Sequence, residues 1–88
     1  MVTKQLEVLN ELGLHARVAG KIVRELRKFE SSVQVQKNER LYDLKNVTGV
    51  ITVNAKRGDV LDIVFSGPDE AEAAEAAEKL FADKFGER

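Results

Sequence analysis

The chain contains a single histidine, His15, and it stands where a helix should begin. From Ala16 onward, Ala19, Ile22, Val23, Leu26 and Phe29 recur at helical spacing and predict an amphipathic helix with one apolar stripe. The position just ahead of such a helix favours Ser, Thr, Asp or Asn, whose oxygens bond the free N–H groups of the first turn. An imidazole there offers a nucleophilic nitrogen and a charge that changes near neutral pH. The first turn also presents unpaired N–H groups and the positive end of the helix dipole, and both stabilise an anion such as a phosphoryl group on the ring. Arg17 can add a charge-assisted bond to a phosphate oxygen. Small Ala16 leaves the ring open to an incoming partner. These residues also fit a solvated capping histidine with no chemistry of its own, and their types alone do not decide between the two.

The elements that must position His15 follow from the patterning. Val2, Leu6 and Val8 alternate with polar residues and predict a strand with one buried face. Asn10–Leu14, with Gly13, reads as a loop leading into the helix. Ser31 and Ser32 break that helix. Val33 and Val35 predict a second strand, Lys37-Asn38-Glu39 a turn, and Tyr42 with Leu44 a short third strand, together a hairpin. Asn46 is a good N-cap for a short helix carrying Val47, Val50 and Ile51. Residues 56–59 read as a turn, and Leu61, Ile63 and Phe65 as a fourth strand. Ser66-Gly67-Pro68-Asp69 closes that strand and caps a last helix over residues 70 to 84, with Ala73, Ala77, Leu80, Phe81 and Phe85 on its apolar face. The order is β-α-β-β-α-β-α. A single apolar face per strand predicts an α+β fold with helices on one side of the sheet only.

Composition narrows the function. Eighty-eight residues suit one domain over 1–88. There is no cysteine, which removes disulfides and thiolate chemistry, and one histidine does not make a conventional metal cluster. No metal or cofactor is expected. Residues 1–8 lack a signal-peptide core, and no apolar run approaches a membrane span, so a cytoplasmic setting is expected. The net charge of −1 supplies no field for nucleic acid, and Phe29, Phe65, Phe81 and Phe85 are claimed by core patterns rather than free to stack bases. Charge is segregated nevertheless. Arg17, Lys21, Arg24, Arg27 and Lys28 face only Glu25 in the first helix, while the last helix is acidic.

The run Leu12-Gly13-Leu14-His15-Ala16-Arg17 resembles the active-site motif of the HPr family, the histidine-containing phosphocarrier proteins of the bacterial phosphoenolpyruvate-dependent sugar phosphotransferase system. The likeness extends through Lys28-Phe29, Leu44-Lys45, Gly49-Val50, Lys56 with Gly58, and the acidic C-terminal helix. It implies an open-faced β-sandwich in which three helices cover one face of a four-stranded antiparallel sheet. It also implies a carrier rather than an enzyme. A phosphoryl group would pass from phosphorylated enzyme I to Nδ1 of His15 and on to a histidine of an enzyme IIA in sugar uptake. Arg17 would contact the phosphoryl group, and the N–H groups of Ala16, Arg17 and Val18 would cradle it. Such transfer needs positioning and charge stabilisation more than covalent machinery. Gly20, Arg24 and Arg27, with Val47, Thr48 and Ile51, would form the docking face for brief encounters of a monomer with acidic partners. An HPr-like regulatory or nitrogen-type phosphorelay with non-sugar targets is the alternative.

Three residues depart from the family pattern. Val18 stands where proline is usual and restores an N–H donor to the first turn. Asn46 stands where many members carry a regulatory serine; it keeps the capping role without a hydroxyl to phosphorylate. Thr48 stands where a larger apolar residue is usual, which puts partner choice in question.

Overall fold

The computed structural model describes residues 1–87. Strand β1 spans Val2–Glu7, helix α1 Ala16–Leu26, β2 Ser32–Lys37, β3 Arg40–Asp43, α2 Val47–Val53, β4 Val60–Ser66 and α3 Glu70–Ala82, followed by a 3-10 turn at Lys84–Gly86. The strands form one antiparallel sheet in the order β1-β4-β2-β3. The predicted element order and the α+β class therefore hold.

Alternation in the strands decides which face is covered. The register places Val2, Phe65 and Val33 in one row, and Ile63, Val35 and Tyr42 in the next. Phe65, Ile63, Val33 and Val35 are fully buried beneath the helices, with Val18, Ile22 and Leu26 of α1 and Val50 of α2. Each large apolar side chain so buried contributes about 1.5–3 kcal/mol before entropy is set against it. The opposite face is mostly polar, with Gln5 donating to Asp62 across β1 and β4 at 2.9 Å. All three helices lie on the covered side. α1 packs against α2 and α3, and α3 lies over β1 and β4.

The ends of the elements refine the sequence reading. Asn38 and Glu39 both have positive φ, the type I′ geometry that matches strand twist in a two-residue hairpin. Leu44 falls just beyond β3 but still donates its N–H to the Val33 carbonyl at 2.9 Å. α1 stops at Leu26, so Phe29 packs against the core from the turn that follows. α3 stops at Ala82 rather than 84. Phe85 is buried by the 3-10 turn and meets Phe81 edge-on at 4.8 Å between ring centroids.

Asp69 sits at the N-cap of α3, yet its carboxylate makes no cap bond. It accepts from the N–H groups of Glu30 at 3.0 Å and Ser31 at 2.9 Å and from the Ser31 hydroxyl, tying the start of α3 to the connection between α1 and β2. The Ser31 hydroxyl and then the Glu30 N–H hold this carboxyl below its ordinary pKa.

Candidate functional site

His15 is indeed the N-cap of α1. Its backbone is extended (φ −83°, ψ 176°), and its carbonyl accepts from Ala19 N–H at 2.8 Å, which opens the helix. Its side chain makes no cap bond, so the N–H groups of Ala16, Arg17 and Val18 have no acceptor among the described residues. Two of the three side chains here are exposed, those of Ala16 and Arg17, whereas Val18 is fully buried.

The loop before α1 is clipped to the segment between α2 and β4. Val8 exchanges backbone hydrogen bonds with that segment, donating to Asp59 at 2.9 Å and accepting from Gly58 at 2.8 Å; Leu14 donates to Ala55 at 3.1 Å. Buried Asn10 donates its side-chain amide to the Gly13 carbonyl at 2.8 Å, and His15 N–H donates to the same carbonyl at 3.0 Å. Gly13 has φ +68°, and a Cβ there would lie 2.5 Å from the Ala55 carbonyl oxygen. The Gly13 of the sequence motif is thus a close backbone approach that aims His15.

The imidazole is one-quarter exposed. Nε2 is the buried ring nitrogen and has no hydrogen-bond partner among the described residues, which leaves Nδ1 as the more open of the two. Facing Nε2 at 3.6 Å is Oε1 of Glu87. The Glu87 carboxylate also accepts from Arg17, through Nη2 at Oε1 and through Nε at Oε2 at 3.2 Å. Lys21 completes the cluster, donating Nζ to Glu87 Oε2 at 2.9 Å and to the Phe85 carbonyl at 3.0 Å. Hydrogen bonds from Arg17 and then Lys21 hold the Glu87 carboxyl down at about 2, and the same pairing raises the Arg17 guanidinium.

The α1 stripe that reads as almost free of acids therefore receives one from far away in the chain. Neither Lys21 nor Glu87 stands out as a site residue in the sequence. Lys21 is legible in hindsight, four residues after Arg17 on one helix face. Glu87 carries no sequence signal, because its place depends on Phe85 being buried. A cleft of about 350 Å³ beside this cluster is lined by Asn10, Glu11, Leu12, Arg17, Gly86 and Glu87. The larger groove, about 590 Å³ between Phe29 and α3, is lined by four carboxylates, Glu25, Glu72, Glu75 and Asp83, against one cation, Lys79, and so disfavours an anion.

Of the expected docking residues, Val47 and Ile51 are exposed at 45% and 41% although large and apolar, and Thr48 lies beside them on α2. Arg24 is exposed, and Gly20 leaves open space on the surface of α1. Arg27 is partly committed to structure, donating Nε to the Lys45 carbonyl at 3.1 Å. Leu12, 72% exposed, is an apolar neighbour that patterning did not single out. Among the described residues no cluster of His, Asp or Glu could hold a metal ion, and no helix is long and apolar enough to cross a membrane.

A protein-family model described as the PTS HPr component phosphorylation site matches residues 2–83. That places the chain among phosphocarrier proteins of the phosphotransferase system, which are carriers and not enzymes. The phosphocarrier protein HPr of Treponema pallidum is 39% identical over 87 residues, covering 99% of both chains. That of Cupriavidus necator is 37% identical over 99% of this chain and 98% of its own. The crystal structure of HPr-C-His from Thermoanaerobacter tengcongensis aligns with a TM-score of 0.93 at 34% identity, over 100% of this chain and 99% of that one. The chain belongs to the HPr family.

Proposed function

We propose that this chain relays a phosphoryl group on His15, taking it from phosphorylated enzyme I and passing it to a histidine of a sugar-specific enzyme IIA. The observation that carries this reading is the environment of one side chain. His15 heads α1 with Nε2 buried and Nδ1 the more open nitrogen, ahead of three backbone N–H groups without acceptors among the described residues and beside two cations already gathered around a carboxylate. Nδ1 attacks phosphorus in line. The Nδ1–P bond forms as the bond to enzyme I breaks, and the electron pair of the broken bond leaves with enzyme I. The N–H groups of Ala16, Arg17 and Val18 and the α1 dipole stabilise the phosphoryl oxygens. Arg17, whose side chain is 64% exposed, adds a charge-assisted bond when it turns from Glu87 to the phosphoryl group.

The docking surface in this reading is Gly20, Arg24 and Arg27 of α1 and its C-terminal end, with Val47, Thr48 and Ile51 of α2: cations around a few apolar residues, suited to fast and brief encounters. The protein works as a cytoplasmic monomer. Asn46 caps α2 by accepting from Thr48 N–H at 2.8 Å and Gly49 N–H at 3.4 Å, and it offers no hydroxyl, so control by serine phosphorylation is absent at this position. Incubation with phosphoenolpyruvate and enzyme I tests the relay. Acid-labile, base-stable phosphate is expected on the wild type and not on His15→Ala. A wild type left unmodified by a competent enzyme I overturns the reading.

A further inference from the structure

Glu87 takes no part in the relay described above, yet it is placed against the ring that does. An ionised carboxylate offers about four acceptor sites, two on each oxygen. Among the described residues, Oε2 accepts from Arg17 Nε and Lys21 Nζ, whereas Oε1 accepts only from Arg17 Nη2. The remaining site on Oε1 faces His15 Nε2 at 3.6 Å, and Nε2 is itself a buried atom without a hydrogen-bond partner among the described residues. A contraction of about 0.6 Å brings this pair to ordinary hydrogen-bond distance. Only one imidazole tautomer suits it. With the proton on Nε2 the N–H points at the carboxylate. With the proton on Nδ1 two lone pairs face each other in a buried contact, and the nucleophilic nitrogen points into the protein.

We propose that Glu87 is a positioning residue for His15: its carboxylate keeps the ring proton on Nε2, so that the lone pair stays on Nδ1. The effect on transfer rests on the relay reading above. When Nδ1 takes the phosphoryl group, the ring keeps its Nε2 proton and becomes positively charged beside Glu87. When the group moves on, the Nδ1–P electron pair returns to Nδ1 and the ring is neutral again. The Nε2 proton never leaves, and the protonated ring remains a good leaving group. Which nitrogen of a histidine carries the proton is set by what the other faces, and a carboxylate behind the ring is an effective way to set it.

The clamp also explains how so late a residue holds its position. Buried Phe85 fixes the segment, Lys21 holds its carbonyl, and Arg17 and Lys21 hold the carboxylate. These two cations are also the charged groups on α1 that approach the pair.

The test reads the unphosphorylated ring. Imidazole ¹⁵N shifts of the neutral protein report the ratio of the two tautomers. The wild type is expected to favour the Nε2–H form well beyond a free imidazole peptide, and Glu87→Gln to lower that ratio roughly fivefold. Contacts between Phe81 and Phe85 rings, read in the same samples, check that the segment stays packed. Glu87→Asp is expected to recover part of the bias. A wild-type ratio no higher than that of the free peptide overturns the proposal whatever the variants do, as does an unchanged ratio in a packed Glu87→Gln. The relay reading fails separately, on the absence of phosphate uptake by wild type.

Discussion

Replacing Gly13 with alanine should damage the protein twice, and both effects follow from one backbone position. Gly13 has φ +68°, a conformation that costs an L-residue about 1–2 kcal/mol. The new Cβ would lie 2.5 Å from the Ala55 carbonyl oxygen and 2.9 Å from Lys56 Cα, both backbone atoms that cannot rotate away. Restoring ordinary contact needs a shift of about 1 Å, and forcing such a shift in a packed region costs about 1–3 kcal/mol. The sum is about 2–5 kcal/mol, or a fall in Tm of roughly 10–30 °C for a domain of this size. The same shift strains the bonds from Leu14 to Ala55 and from His15 to Gly13 that aim the imidazole. A displacement of ~1 Å at a reacting group can lower a rate about a hundredfold. Thermal unfolding by circular dichroism and phosphorylation by enzyme I at a temperature where the variant is folded measure the two effects. Gly20→Ala is the control for the stability effect alone: its Cβ meets nothing within 4 Å and it lies within α1, so it should stabilise by about 0.5–1 kcal/mol. A Gly13→Ala protein that melts within about 4 °C of wild type and transfers phosphate at an unchanged rate would refute the reasoning.

Asn46→Ala removes the acceptor for two N–H groups of α2 and should cost about 1 kcal/mol in denaturant unfolding, with no change in slope. Val18→Pro removes one free N–H and some fully buried packing; it should destabilise by about 1 kcal/mol and change the phosphorylation rate by less than about tenfold in rapid-quench assays. Acid should release the C-terminal segment before the fold is lost. The Glu87 carboxyl is held at about 2 against an ordinary value of 4.5, so its contribution is fully present above 4.5 and fades as pH falls toward 2. Amide exchange at Phe85 and Gly86 should accelerate across that window, and unchanged protection there would count against the clamp.

Much of the fold is legible because it rests on local physics. The period-two pattern of Val33 and Val35 and of Leu61, Ile63 and Phe65 reports a sheet with one covered face, and the 3.6-residue stripe from Val18 to Leu26 reports the helix above it. The hairpin at Asn38 and the cap at Asn46 follow from side-chain chemistry at single positions. What escapes the sequence is decided at long range. Asp69 has the type and place of a helix cap, but Ser31 lies close enough to take its carboxylate instead. α3 looks continuous to residue 84 on composition, yet Lys84 and Phe85 adopt positive φ as Phe85 turns in against Phe81. His15 and Arg17 could be nominated from their own neighbourhood. Glu87 could not, because it meets Arg17 across a separation of 70 residues.

The pairing of β1 with β4 has a consequence for the order in which the site is assembled. β1 pairs with β4 over Val60–Phe65, so the first strand made has no such partner until most of the chain exists. Contacts of such sequence separation form late, after the entropy of closing a long loop has been met. The β2–β3 hairpin needs no such closure and is free to form early. The loop holding His15 is clipped to Ala55 and Asp59, and Glu87 arrives only after α3 has docked. Folding intermediates with secondary structure in place would thus carry His15 on an unanchored loop. The geometry around His15 would emerge with the final long-range contacts, so that topology alone keeps half-folded chains from presenting it.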